Sequence, residues 1–135
     1  MHPKVSLLDS IQTDEVVLLY KANGWSSGEK PDLLLPALRE SHSLATARLD
    51  GELIGLANAI SDGHLVAYFP HMLVHPLHQR KGVGRLLMQA LLDRYKGLHQ
   101  LMLTADGDAI TFYESMGFSR AGKTVPMWVY AGTEH

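Results

Sequence analysis

The stretch HPLHQRKGVGRLLMQALL, residues 75–92, puts two glycines and three cations at the start of an apolar pattern with helical spacing. Val83, Leu86, Leu87, Ala90 and Leu91 recur at three and four residues, the period of one buried helix face. A helix start carries backbone N–H groups without intrahelical partners and the positive end of the helix dipole, so it attracts anions. Gly82 and Gly84 let the backbone approach a phosphate with no Cβ in the way, and Arg80, Lys81 and Arg85 add positive charge around the same point. The stretch reads as a seat for a phosphorylated ligand, against the alternative of a flexible loop with solvated cations. Neither common nucleotide motif fits. Leu87 stands where a dinucleotide fingerprint needs its third glycine, and Gly84-Arg85-Leu86 stands where a P-loop needs Gly-Lys-Ser/Thr.

On the N-terminal side of this helix the period changes to two. LATARLD (44–50) and ELIGLANAISD (52–62) flank Asp50-Gly51, whose readiness for positive φ suits a tight turn between twisted strands. A second Asp-Gly at Asp62 and Gly63 precedes HLVAYFPHMLVHP (64–76), so three consecutive antiparallel strands are expected from Leu44 to His75, with Pro70 marking a bulge or splay in the third. Earlier, VSLL (5–8) reads as a short strand, and Asp9, Ser10 and Thr13 offer caps for a helix over TDEVVLLYKANGW with Gly24 as its stop. After the polar loop SSGEK (26–30), PDLLLPALRESH (31–42) reads as a second helix that starts near Pro31 and is shortened or kinked at Pro36.

Past the quoted helix, which should end near Gly97, HQLMLTAD (99–106) reads as a short strand parallel to the one before the helix, because a helix separates them. AITFYESMGF (109–118) is one more helix closed by Gly117, and TVPMWVYA (124–131) a terminal strand, open to a hairpin with FSRAG (118–122). The fold class is therefore α/β, with a mixed, mostly antiparallel sheet flanked by helices.

The 135 residues suffice for one domain, 1–135, and are too few for two ordinary ones. Without cysteine there is no disulfide, thiol nucleophile or thiolate metal site. A formal charge of −2 with eight histidines supplies no basic field for nucleic acid, and no apolar run reaches the length of a membrane span, so neither partner is expected. The opening MHPKVSLLDS lacks the apolar core of a secretory signal, and a cytoplasmic location is expected.

Strand, HPLHQRKGVG and helix together resemble motif A of the GNAT superfamily of N-acetyltransferases, Gln/Arg-x-x-Gly-x-Gly/Ala, with Gln79, Gly82 and Gly84 at its specified positions. Phe112, Tyr113, Gly117 and Phe118 match the Phe-Tyr-x-x-x-Gly-Phe that typically ends the family's later helix. The resemblance runs from about Leu44 to Tyr130, and LIGLANAISDG, TADGDAITFY and PMWVY look most like small bacterial relatives of plant serotonin N-acetyltransferases. It implies acetyl-CoA held between two splayed parallel strands. The cofactor contacts it implies are the main chain of Leu73 and Val74, the segment Gln79, Arg80, Lys81, Gly82, Val83, Gly84 and Arg85, and Tyr113. It implies no metal.

Acetyl transfer to an amine needs a neutral nitrogen, a polarised thioester carbonyl and a proton for the departing thiolate. Tyr113 stands where the family's general acid does, and a phenol is protonated at neutral pH. Asp106 corresponds to the acidic residue of the serotonin-acetylating relatives, where it accepts the amine proton, attracts an ammonium group, or merely caps the following helix. His71 stands where many relatives carry aspartate, and the unperturbed pKa of an imidazole suits a general base; a ring satisfied by a neighbouring backbone group is the alternative. His71, His75 and His78 have no cysteine and no clear carboxylate partner beside them, which argues against a metal. Trp25 is a candidate aromatic wall and Glu29 a candidate attraction for an amine, against packing for the first and solvation for the second.

The expected reaction is direct attack by a small primary amine, such as an arylalkylamine or polyamine, on the thioester. A protein lysine or N-terminal amine is the alternative substrate, and an acetyl-CoA sensor without catalysis the alternative of another class. A homodimer through the terminal strand is suggested by family analogy alone.

Overall fold

The computed structural model describes residues 2–133, which form a six-stranded sheet with two helices against each face. The elements in chain order are β1 (Lys4–Ser6), α1 (Thr13–Ala22), α2 (Pro31–Arg39), β2 (Ser43–Leu49), β3 (Glu52–Ser61), β4 (Val66–Tyr68), β5 (Met72–Val74), α3 (Val83–Arg94), β6 (Gln100–Met102) and α4 (Asp108–Ser115). Short 3-10 turns lie at Ser26–Glu29 and Pro76–His78.

The hairpin forms as its turn chemistry requires. Asp50 and Gly51 take φ of 51° and 84°, and Leu49 pairs with Glu52, a two-residue loop that sets the β2–β3 register. The third strand breaks at Pro70, which has no N–H to give a ladder. Its first half, β4, pairs antiparallel with β3 through Ile60↔Tyr68 and parallel with β6 through Ala67↔Leu101. Its second half, β5, pairs with β3 alone, through Gly55↔Val74, Leu56↔Leu73 and Ala57↔Met72. Phe69 N donates to Met102 O at 3.0 Å, and beyond that bond β5 and the chain after β6 part. The splay thus follows from one proline.

Small residues govern the α3 face. Ala45, Ala47, Ala57 and Ala59 let Val83, Leu87, Met88 and Leu91 lie close to the sheet, and a Cβ on Gly55 would stand 3.1 Å from Leu87 Cδ1. On the other face Val16 and Leu19 of α1 and Leu34, Leu35 and Leu38 of α2 cover Leu53, Leu56 and Leu73. At roughly 25 cal/mol per Å² of apolar area, burial of these side chains is the main favourable term.

Several expectations need correction. The α3 stripe holds Met88 rather than Leu86, which is 46% exposed; the face is centred one position away from the one expected. Gln12, not Asp9, Ser10 or Thr13, caps α1, in a reciprocal box with Glu15. Asp9 is taken instead by Thr46 and Arg48. Pro36 sits inside α2, and the helix read over 31–42 stops short, at Arg39. Residues 124–131 form no strand, and FSRAG no hairpin with them. Pro126 removes a ladder donor, residues 121–131 lie exposed, and Trp128 stacks on Tyr130 (4.2 Å, 12°) instead.

Candidate active site

Where β5 leaves β6, its outer edge is free of strand partners among the described residues. His71 O accepts from Asn58 N at 3.1 Å and His75 N donates to Ile54 O at 2.7 Å, so residues 71 and 73 and the His75 N–H turn their main-chain groups to β3. By strand alternation Met72 and Val74 turn theirs toward the gap. Of the two main chains expected there, that of Val74 faces the gap and that of Leu73 the β3 ladder; the Met72 main chain faces the gap as well. The Val74 carbonyl already accepts from Gln79 Nε2 at 2.9 Å. Gln79 reaches on to Asn23 Oδ1 at 3.3 Å, fastening the glycine loop to β5 and to the end of α1.

The loop itself is shaped by two left-handed residues, Arg80 (φ 63°) and Gly82 (φ 87°). Arg80 is not glycine, and such a conformation costs about 1–3 kcal/mol. Gly82 is the N-cap of α3 and makes no side-chain cap, so the first amides of the helix are left for a ligand. Nothing lies within 4 Å of a Cβ built on Gly82, whereas one on Gly84 would meet Met72 Cε at 3.3 Å and Phe112 Cζ at 3.6 Å. Lys81 is exposed beside them, and Val83 turns into the core. Arg85 donates to Ser115 Oγ at 2.7 Å and lies 5.8 Å from the Phe112 ring centroid. Arg80 and Asp108 approach only to 4.0 Å, both fully in solvent. A helix N-terminus without a capping side chain, with three cations around it, is the donor set a pyrophosphate requires.

Tyr113 faces the sheet from α4, its ring wedged against Phe112 and Phe118 (5.1 and 5.7 Å between centroids). Burial pushes its phenol up to about 12, so it holds its proton throughout the neutral range. Asp106 lies exposed between β6 and α4; its carbonyl accepts from Ala109 N at 3.1 Å, while the N-cap position of α4 falls to Gly107.

At the apex of the splay His71 sits half-buried in an aromatic corner. Its Nδ1 is 2.7 Å from Tyr20 Oη, and its ring lies 5.3 Å from Trp25, which in turn meets Tyr20 edge-on at 5.8 Å. Asn58 Oδ1 accepts from His71 N at 3.0 Å. Trp25 therefore both packs onto α1 and borders His71. Glu29 is exposed on its 3-10 turn, and its side chain makes no hydrogen bond or ion pair among the described residues. His75 Nδ1 accepts from Leu77 N, which closes the turn after β5. Among the described residues no three of His, Cys, Asp or Glu are grouped to hold a metal. Tyr20 and Asn58 escaped the sequence because they contact His71 only through the fold.

A glycine-capped helix behind a strand that splays from its parallel neighbour is the architecture of acyl-CoA-dependent transferases. The chain belongs to the acetyltransferase (GNAT) family, whose pattern it matches over residues 9–118. It superposes with a TM-score of 0.82 on a GNAT-family acetyltransferase of Streptococcus pneumoniae TIGR4, at 26% identity, covering 96% of this chain and 98% of that one. It is 32% identical over 92 residues to a glucosamine 6-phosphate N-acetyltransferase of Schizosaccharomyces pombe, covering 67% of this chain and 79% of the relative. It is also 35% identical over 68 residues to the uncharacterized N-acetyltransferase ycf52 of Gracilaria tenuistipitata, covering 49% of this chain and only 37% of that relative's length.

Proposed function

We propose that the chain is an acetyl-CoA-dependent N-acetyltransferase that passes the acetyl group directly to a primary amine. The observation that carries this reading is the splay: β5 offers the Met72 and Val74 main chain beside a glycine-capped helix start ringed by Arg80, Lys81 and Arg85. The helix start suits a pyrophosphate, and the main chain of Met72 and Val74 an amide-bearing arm. The amine nitrogen attacks the thioester carbonyl, a C–N bond forms, the C–S bond breaks, and Tyr113 gives its proton to the leaving thiolate. Asp106 is assigned to the amine, as acceptor of its proton or as an anionic attraction for its ammonium form with water taking the proton, and solvent then reprotonates Tyr113.

The acceptor is proposed to be a small amine entering past Trp25 and His71. Arylalkylamines and polyamines head the panel on the resemblance to serotonin-acetylating relatives, and the fission-yeast relative adds amino-sugar phosphates to it. The test is release of free CoA thiol from acetyl-CoA with these amines and with lysine peptides, Tyr113→Phe run beside the parent. Turnover with one class, lowered about a hundredfold in the variant, is expected. Turnover with peptides alone would transfer the assignment to protein substrates. Acetyl-CoA binding without turnover would favour a sensor.

A further inference from the structure

Tyr20 is 0% exposed, and burial pushes its phenol well above the ordinary tyrosine range, so it remains an uncharged O–H group. Among the described residues its hydroxyl has one hydrogen-bond partner, His71 Nδ1 at 2.7 Å. That bond can be made in two ways. Either the phenol donates to a bare Nδ1, or Nδ1 carries hydrogen and donates to the phenol oxygen. In the second arrangement the phenol hydrogen loses its acceptor in a dry place, at a cost of about 1–3 kcal/mol. In the first, nothing is left unmade, since a phenol oxygen tolerates an unused lone pair far better than an unused hydrogen.

A neutral imidazole that accepts at Nδ1 carries its hydrogen on Nε2. We infer that Tyr20 is a positioning residue that holds His71 in the Nε2–H form, making His71 a hydrogen-bond donor to an oxygen acceptor in the transfer reaction and not its general base. The Nδ1 lone pair is committed to Tyr20, and Nε2 bears a hydrogen whether the ring is neutral or charged. Proton acceptance from the amine then falls to Asp106 or to water. The surroundings support a fixed ring: Trp25 lies against it at 5.3 Å, and Asn58 grips the His71 backbone through both its amide N–H and its Oδ1. Asn58 is itself held by donation from Nδ2 to Ser41 Oγ at 3.0 Å. The donor role in catalysis rests on the acetyl-transfer reading above; the tautomer does not.

Two measurements test the two halves separately. Nitrogen-15 correlation spectra of the histidine rings at about pH 8, above the ordinary histidine pKa, are assigned by loss of one ring in His71→Gln. The expected His71 pattern has an unprotonated Nδ1 and a protonated Nε2, and Tyr20→Phe shifts it toward the mixture of forms. A parent ring protonated on Nδ1 would overturn the inference, even if Tyr20→Phe did not fold. In the CoA-release assay, glutamine supplies an amide N–H near the Nε2 position but cannot take up a proton. His71→Phe is expected to lose about tenfold or more in kcat/KM, with His71→Gln recovering most of that loss. Equal losses in the two variants, or no loss in either, would overturn the donor role. Absence of turnover in the parent would instead sink the acetyl-transfer reading and leave the tautomer to the spectra.

Discussion

Gly82 and Gly84 stand two residues apart in one motif and answer to different constraints. Gly82 is required by its own backbone, since a φ of 87° is open to glycine and strained for any residue with a Cβ. Gly84 is crowded only by its neighbours, and the nearest of them is the methyl end of Met72, which can swing away. Gly82→Ala is therefore expected to cost about 1–2 kcal/mol, lowering Tm and weakening acetyl-CoA in a titration, whereas Gly84→Ala leaves Tm close to the parent. The spacing of the two glycines was legible; which one touches the strand was not, because Met72 approaches from another element. For Tyr113 the sign of the pH effect is fixed by burial. The folded value of about 12 lies above the ordinary 10, so the stability due to the protonated phenol is whole below about pH 10 and declines as pH rises toward 12. Accordingly kcat is expected to show no loss from phenol ionisation between pH 7 and about 10, measured as CoA release across that range in a buffer series with unfolding followed in parallel.

Between elements, Arg48 ties the start of α1 to the sheet by charge-assisted hydrogen bonds. From β2 it donates through Nε to Asp9 Oδ2 at 2.7 Å and as a fork to Glu15 at 2.8 and 2.7 Å, all three side chains being largely covered. The Arg48 hydrogen bonds hold Glu15 below its ordinary range; for Asp9, burial pushes upward but is outweighed by Thr46 and Arg48, and the net direction is down. Depressed carboxylates contribute stability that is present above the unfolded values of 4.5 and 3.8 and is lost as pH falls through the lower folded ones. Acid unfolding should begin there, and Arg48→Met should remove about 2 kcal/mol at neutral pH and flatten the acid limb, read by denaturant titration at pH 7 and pH 4. A parallel loss at both values would count against the clamp. From the sequence Asp9 reads as a helix cap, because that is the local use of aspartate before a helix. Its actual partner comes from 39 residues away, where no local rule reaches.

For the whole molecule, the question left exposed is what covers the tail. Val125, Met127, Trp128 and Val129 are 66% exposed or more, and β6 has no strand on its outer side among the described residues. Apolar side chains carried together into water beside an open edge invite a second copy. Light scattering is expected to give twice 14.9 kDa, reduced toward a monomer by Val129→Lys and Met127→Lys together. A monomeric parent would refute the dimer. Sequence alone determined the order and kind of the main elements, the Asp50-Gly51 turn, the break at Pro70 and the glycine-led start of α3, because periodicity, turn conformation and a missing N–H act within a few residues. Only the tertiary structure decided that Tyr20 meets His71, that Arg48 claims Asp9, and that the last apolar run finds no ladder. Each of these depends on what a distant segment offers in return, and a hydrogen bond or a strand pair exists only when both partners arrive.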